Sequence, residues 1–234
     1  MPRILVVQSR SSKDRVEREQ ANYRTTIGDV AAVEFLSALD ERLAWESPDE
    51  FLDNRDGVIF GGSSDFDFHG GRDEKDPARI MALLILSRAK NIVNHALRQH
   101  IPVLGVCFGH QLIAEMHGGD VRCDKSQGKS GSHEVRLTAE GARDVLFAGL
   151  PPAFVAQYWH KDSVVNLPEG ATLLASSPTC RFSALRYARN TYTVQFHPEV
   201  LRIITDIHPR PSPDASRLIP LWIERVVDSY MYLT

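Results

Sequence analysis

Pro102-Val-Leu-Gly-Val-Cys107-Phe-Gly-His-Gln-Leu-Ile-Ala-Glu-Met-His-Gly-Gly119 is the stretch on which the reading of this chain turns. An apolar run, Ile101 to Val106, ends on a single cysteine. Gly105 and Gly109 stand two residues to either side of it, and a helical pattern follows at once. Gly105-Val-Cys107-Phe-Gly109 has the G-x-nucleophile-x-G form of an elbow, where a strand turns sharply into a helix with the central residue at the tip. Side chains at the two glycine positions would collide with the turn. The helix N-terminus favours thiolate over thiol at Cys107. The N–H of Phe108 can face a developing oxyanion. A buried structural cysteine between turn glycines is the other reading of this pentapeptide, so a nucleophile needs partners elsewhere in the chain.

Outward from the elbow, short apolar runs alternate with helix-period segments. Arg3 to Val7, Gly57 to Phe60 and Ile101 to Val106 read as buried strands. Thr26 to Leu39, with Val30, Val33 and Leu36 three apart, predicts a helix. Ala78 to Leu97 predicts another, with Ile80, Leu84, Ile92, Val93, Ala96 and Leu97 on one face. This alternation implies a mainly parallel sheet covered on both faces. The second half is richer in short strands: Val121 to Arg122, His133 to Leu137, Phe154 to Tyr158, Thr172 to Ala175, Ser183 to Tyr187 and Tyr192 to Phe196. These predict a second, partly antiparallel sheet built onto the first. A proline-rich loop is expected at His208 to Pro213 and a helical tail from Ala215 to Tyr232. The whole chain, 1–234, reads as one domain.

Far downstream, the strand Tyr192-Thr-Val-Gln-Phe196 runs into His197-Pro-Glu199. A thiolate nucleophile needs a base, and the base needs an orienting group. Pro198 biases His197 to extended geometry, and in an extended chain residues i and i+2 point the same way. The Glu199 carboxylate can then hold the imidazole in one tautomer. Upstream, Asp56-Gly-Val-Ile-Phe-Gly-Gly-Ser-Ser64 places a strand ahead of Gly61-Gly62, where backbone N–H groups can approach a substrate closely.

Taken together, Gly105-Val-Cys107-Phe-Gly-His-Gln111, Gly61-Gly62 and His197-Pro-Glu199 resemble the class I glutamine amidotransferases, from about Ile4 to Val200. Within that family the chain is most similar to the glutaminase part of GMP synthetase and its stand-alone relatives. The resemblance implies a flavodoxin-like α/β fold and a Cys107-His197-Glu199 triad acting through a γ-glutamyl thioester. It implies an oxyanion hole from the N–H groups of Gly62 and Phe108. It also implies substrate contacts at Gly61, Gln111, Trp159, His160 and Asp162, glutamine or a γ-glutamyl compound as ligand, no cofactor, and a separate ammonia-accepting synthase as partner. Gly131 to Val135 falls near a loop that covers the site in relatives. The chain departs from the family at Ser63, where proline is common, and at Trp159 and Lys161, where relatives carry small residues. Those changes suit a different γ-glutamyl compound.

The totals fit this reading. The 234 residues carry 27 Lys and Arg against 30 Asp and Glu, a net charge of -3 that argues against nucleic acid as a partner. No apolar run reaches the roughly 18 residues that span a bilayer, so no membrane partner is expected. The first residues read as a strand, not a signal peptide. Three cysteines argue against a disulfide scaffold, and a reducing cytoplasm is expected. Cys123 to Ser130 nearly matches a P-loop but lacks its first glycine and leads into a strand pattern, so it is set aside. Asp65 to Asp76 reads as a solvated loop, with a lid or partner surface as the other reading. Two further functions compete with the amidotransferase: a free-standing γ-glutamyl hydrolase, and a thiol redox sensor. A sensor has no use for His197-Pro-Glu199.

Overall fold

The computed structural model describes residues 1–201 and 209–231. Its centre is a nine-stranded sheet. β1 (Arg3–Gln8), β2 (Ala32–Ser37), β3 (Gly57–Phe60), β4 (Val103–Val106) and β11 (Thr191–Val194) run parallel in the spatial order β2-β1-β3-β4-β11. Beyond β11 the direction reverses. β10 (Cys180–Tyr187), β9 (Ala171–Ser177), β6 (Lys129–Leu137) and β7 (Ala153–His160) follow as an antiparallel extension of the same sheet. A separate antiparallel pair joins β5 (Val121–Cys123) to β8 (Asp162–Val164). The expected α/β class with a smaller antiparallel sheet is therefore present. Most second-half strands lengthen the main sheet, and β8 was not read from the sequence.

Alternation along the strands sorts two cores. Ile4 and Val6 face one side with Tyr23 and Ile27 of α1 (Lys13–Ile27) and with Trp222 at the end of α7 (Leu218–Trp222). Leu5 and Val7 face the other side with Ile92 and Val93 of α3 (Pro77–Arg98) and Leu112 of α4 (Phe108–Met116). α3 starts on Asp76, whose side chain accepts from the Ala78 N–H, with Pro77 at the first helical position. The tail is helical from Pro213 to Met231 apart from Arg217, and includes a π turn at Ile223–Val227. Pro209 to Ser212 form the expected loop, while His208 and Tyr232 lie outside the described residues.

The helix expected over Thr26 to Leu39 is not there. α1 ends at Ile27, Gly28 turns the chain at φ 56°, and Ala32–Ser37 is an edge strand beside β1. Val33, Phe35 and Leu36 are β-prone residues whose spacing also mimics a helix. The true helix escaped notice because it is mostly charged. Its buried residues are Glu19, Tyr23 and Ile27, four apart, and only two of the three are apolar.

Under the elbow, His110 on α4 is fully buried, with Nδ1 2.8 Å from Thr193 Oγ1 of β11. Burial, and then the neighbouring His160, push its pKa down to about 3. A group with a depressed histidine pKa contributes stability above its unfolded pKa of about 6.5 and loses it as pH falls toward the folded value. Stability measured by urea melts is therefore expected to decline from about pH 6.5 toward about pH 4, and His110→Gln to flatten part of that decline.

Candidate active site

Cys107 sits where β4 becomes α4, at φ 53° and ψ -99°, a backbone conformation that non-glycine residues rarely adopt. Its N–H donates to the Val194 carbonyl at 2.8 Å, and its own carbonyl accepts from the Gln111 N–H at 3.2 Å. A Cβ on Gly105 would stand 2.7 Å from the Gly109 carbonyl oxygen, so that glycine serves the turn itself. A Cβ on Gly109 would run into the Phe60 carbonyl and stand 2.7 Å from Phe60 Cβ. The second glycine therefore answers to the neighbouring strand β3, not to the turn.

β4 and β11 are adjacent and parallel, so Cys107 and the residues after Val194 leave the sheet at one edge. His197 is anchored by its N–H to the Gln157 carbonyl at 2.8 Å. Its Nδ1 lies 2.7 Å from Glu199 Oε1, and both side chains are buried. Burial works against the imidazolium, but the Glu199 carboxylate and the Cys107 sulfur outweigh it and raise the His197 pKa well above its ordinary value. The imidazole is thus fixed by the Glu199 carboxylate and lies within electrostatic reach of the Cys107 sulfur.

Gly61-Gly62 closes the third side. The Gly61 N–H donates to the Val7 carbonyl at 3.0 Å, and its carbonyl accepts from the Gly109 N–H at 3.2 Å. A Cβ on Gly62 would be 2.9 Å from His197 Cε1 and 3.5 Å from Cys107 Cβ. Among the described residues, the N–H groups of Gly62 and Phe108 have no acceptor. Cysteine, imidazole, carboxylate and two glycines, from stretches far apart in the chain, thus converge at one sheet edge.

The remaining expected contacts are nearby, but most of their polar atoms have partners within the protein. Gln111 Nε2 donates to the Asp162 carbonyl at 2.7 Å and to Gln195 Oε1 at 3.3 Å. The Asp162 carboxylate accepts from the N–H groups of His69 and Gly70, both at 2.7 Å. His160 is buried, with Nδ1 3.0 Å from the Asp162 carbonyl, and burial first of all lowers its pKa to about 4. Trp159 brings its carbonyl to within 3.7 Å of Cys107 Sγ, while the residue is 57% exposed. Gly131 to Val135 are part of β6 and pair with β7.

Asp65 to Asp76 is tied down at several points. Phe68 is buried and stacks on Phe108 with ring centroids 5.5 Å apart. Asp65 is paired with Arg15 and accepts from the Ser11 N–H at 2.8 Å. Beside Trp159 opens a groove of about 480 Å³ lined by Lys125, Lys129 and Lys161. Lys129 Nζ lies 3.9 Å from the Tyr158 ring centroid, and burial lowers its pKa to about 8. Sequence reasoning also missed Arg10 and Glu19, a buried pair behind Gly61-Gly62 joined at 2.9 Å. A charged residue just past the end of a parallel strand was the available signal.

The model of the family described as Glutamine amidotransferase class-I matches residues 71–208. A subunit of the glutamine-hydrolyzing GMP synthase of Methanocaldococcus jannaschii is 40% identical over 118 residues, covering 49% of this chain and 60% of the relative. The chain thus spans less than two thirds of that relative's length. The protein of the same name from Sulfurisphaera tokodaii is 33% identical over 156 residues, covering 66% of this chain and 73% of the relative. Among solved structures, a protein from Thermoplasma acidophilum described as a GMP synthase subunit superposes with a TM-score of 0.73 at 21% identity, covering 100% of this chain and 97% of that one. A glutamine amidotransferase from Thermotoga maritima gives 0.59 at 20% identity, covering 99% and 85%. At those identities the structures speak for the fold. The matched family model and the sequence relatives carry more: this chain belongs to the class-I glutamine amidotransferase family.

Proposed function

We propose that the chain hydrolyses the side-chain amide of glutamine and supplies ammonia to a separate synthase. The observation that carries this reading is the Glu199-His197 pair, 2.7 Å apart and buried, set against the elbow cysteine. Cys107 Sγ attacks the amide carbon, and the carbonyl electron pair moves onto oxygen. The N–H groups of Gly62 and Phe108 receive that oxyanion. The His197 imidazolium delivers its proton to the nitrogen as the C–N bond breaks, leaving ammonia and a γ-glutamyl thioester. Water, deprotonated by the now neutral His197, then cleaves the thioester to glutamate and restores the thiolate. Glu199 keeps the imidazole oriented throughout and stabilises its charged form. The reading of a separate synthase is supported by the relatives, which are named as subunits of a glutamine-hydrolyzing GMP synthase.

The groove lined by lysines favours a second reading, a γ-glutamyl compound bearing an additional anionic group. Three cations line it beside the Trp159 carbonyl that lies 3.7 Å from Cys107 Sγ; Lys161 stands 3.9 Å from Asp67 Oδ2, while Lys125 and Lys129 have no carboxylate partner among the described residues.

Ammonia release from glutamine by the purified chain should vanish in Cys107→Ala. Glu199→Gln should lower kcat by about 10³- to 10⁴-fold, the scale set by loss of the orienting carboxylate in a comparable triad. Little change in Glu199→Gln would remove the triad assignment. A raised histidine pKa contributes stability in full below its unfolded pKa of about 6.5 and loses it as pH rises through the folded value. The melting-temperature gap between wild type and Glu199→Gln should accordingly be wider at pH 6 than at pH 9. Lys161→Gly should leave KM for glutamine within about threefold but raise KM for γ-glutamylglutamate by about tenfold if the second reading holds. Equal effects on both substrates would leave glutamine as the better assignment.

A further inference from the structure

Behind the Gly61-Gly62 turn lies a buried ion pair that the reaction as written does not use. Arg10 follows β1 by two residues, and its side chain is 12% exposed. Its Nε and Nη2 donate to Glu19 Oε1 of α1 at 3.1 and 2.9 Å, and its Nη1 donates to Ser64 Oγ at 3.0 Å. Gln8 Nε2 donates to the other Glu19 oxygen at 2.9 Å. The pair lies against both glycines. A Cβ on Gly61 would stand 3.0 Å from Glu19 Oε1, and one on Gly62 would stand 3.2 Å from Arg10 Nη2. The latter position is also 2.9 Å from His197 Cε1.

A buried ion pair contributes little net stability, because desolvation cancels most of the attraction. Its location offers a better reason. Two successive glycines have the loosest backbone a chain can have. This turn is pinned at Gly61 by the Val7 carbonyl and the Gly109 N–H, and at Ser64 by Arg10. Resting on the proposed thioester reaction, we propose that Arg10 is a positioning residue for the oxyanion hole. Anchored on Glu19, it reaches from the end of β1 to Ser64 and holds the Gly61–Ser64 turn so that the Gly62 N–H stands where negative charge develops. Its guanidinium also lies within electrostatic reach of Cys107 and Glu199. Burial opposes its charge, but Glu19 and then these two groups outweigh that and raise its pKa.

Two reactions of the same sulfur separate positioning from general damage. Amide hydrolysis builds an oxyanion. Alkylation by iodoacetamide is a displacement at saturated carbon and builds none. In the full chain, Arg10→Met should lower kcat for ammonia release by about 100-fold with KM within about threefold, while the alkylation rate of Cys107 stays within about threefold. Ser64→Ala keeps the ion pair and cuts the tether to the turn together with a long 3.5 Å contact to Asp65 Oδ1, so it should lower kcat by about tenfold with an unchanged melting temperature. Arg10→Lys keeps the charge without the fork and should recover only part of kcat. Retention of kcat within about threefold in both Arg10→Met and Ser64→Ala overturns the proposal, as does alkylation that falls in step with kcat. If wild type alkylates normally yet forms no thioester and releases no ammonia, the amidase reading itself falls.

Discussion

The site depends on how closely β3 approaches the first turn of α4. Gly109 has no side chain, so the helix can lie against Phe60, and its N–H can reach the Gly61 carbonyl at 3.2 Å. That contact sets the distance between Cys107 and the glycine turn. A methyl group at Gly109 would push the helix off the strand and carry Cys107 away from Gly62. The unfavourable φ of Cys107 is maintained by the same packing, with hydrogen bonds on both sides of the residue. An elbow is therefore a property of two strands and a helix together, not of five residues in sequence.

Around that contact the protein replaces water with fixed polar groups. His110 meets Thr193, Gln111 meets Asp162 and Gln195, and Glu19 meets Gln8 and Arg10, all of them buried or nearly so. Buried polar groups of this kind are costly unless partnered, and once partnered they admit few alternative arrangements. Asp162 extends this order outward. Through the N–H groups of His69 and Gly70 it secures a glycine-containing stretch that composition alone marks as solvated.

Much of this was legible in the residues. Gly105, Cys107, Gly109 and His197-Pro-Glu199 announce themselves because each obeys a local rule of turn geometry or chain direction. β3 was readable as a short continuous apolar run, and α3 as a long helical period, but its inward face runs through Ala82, Ile85 and Ala89, and Ile80 and Leu84 of the expected face are exposed. The failures share a cause as well. Ala32–Ser37 is a half-exposed edge strand whose apolar spacing also fits a helix, and only its pairing with β1 decides the matter. α1 hides because its inward face carries Glu19, a charge buried for the sake of Arg10. Partners that lie tens of residues apart leave no periodic trace. The internal ties of Asp162 and Gln111 were invisible for that reason too.

β11 is the strand that joins the two halves of the sheet. It lies between β4, which precedes it by some 88 residues at Thr191↔Val103, and β10, its immediate neighbour in sequence. A chain emerging from its N-terminus can pair β1, β2, β3 and β4 early, but the middle of the sheet stays open until residue 194 is available. Pairings of such sequence separation form late, since the loop they close must be ordered first. His197 and Glu199 arrive only with that strand. During synthesis Cys107 therefore stands at an unfinished edge, and the imidazole and the carboxylate reach it only in the event that closes the sheet.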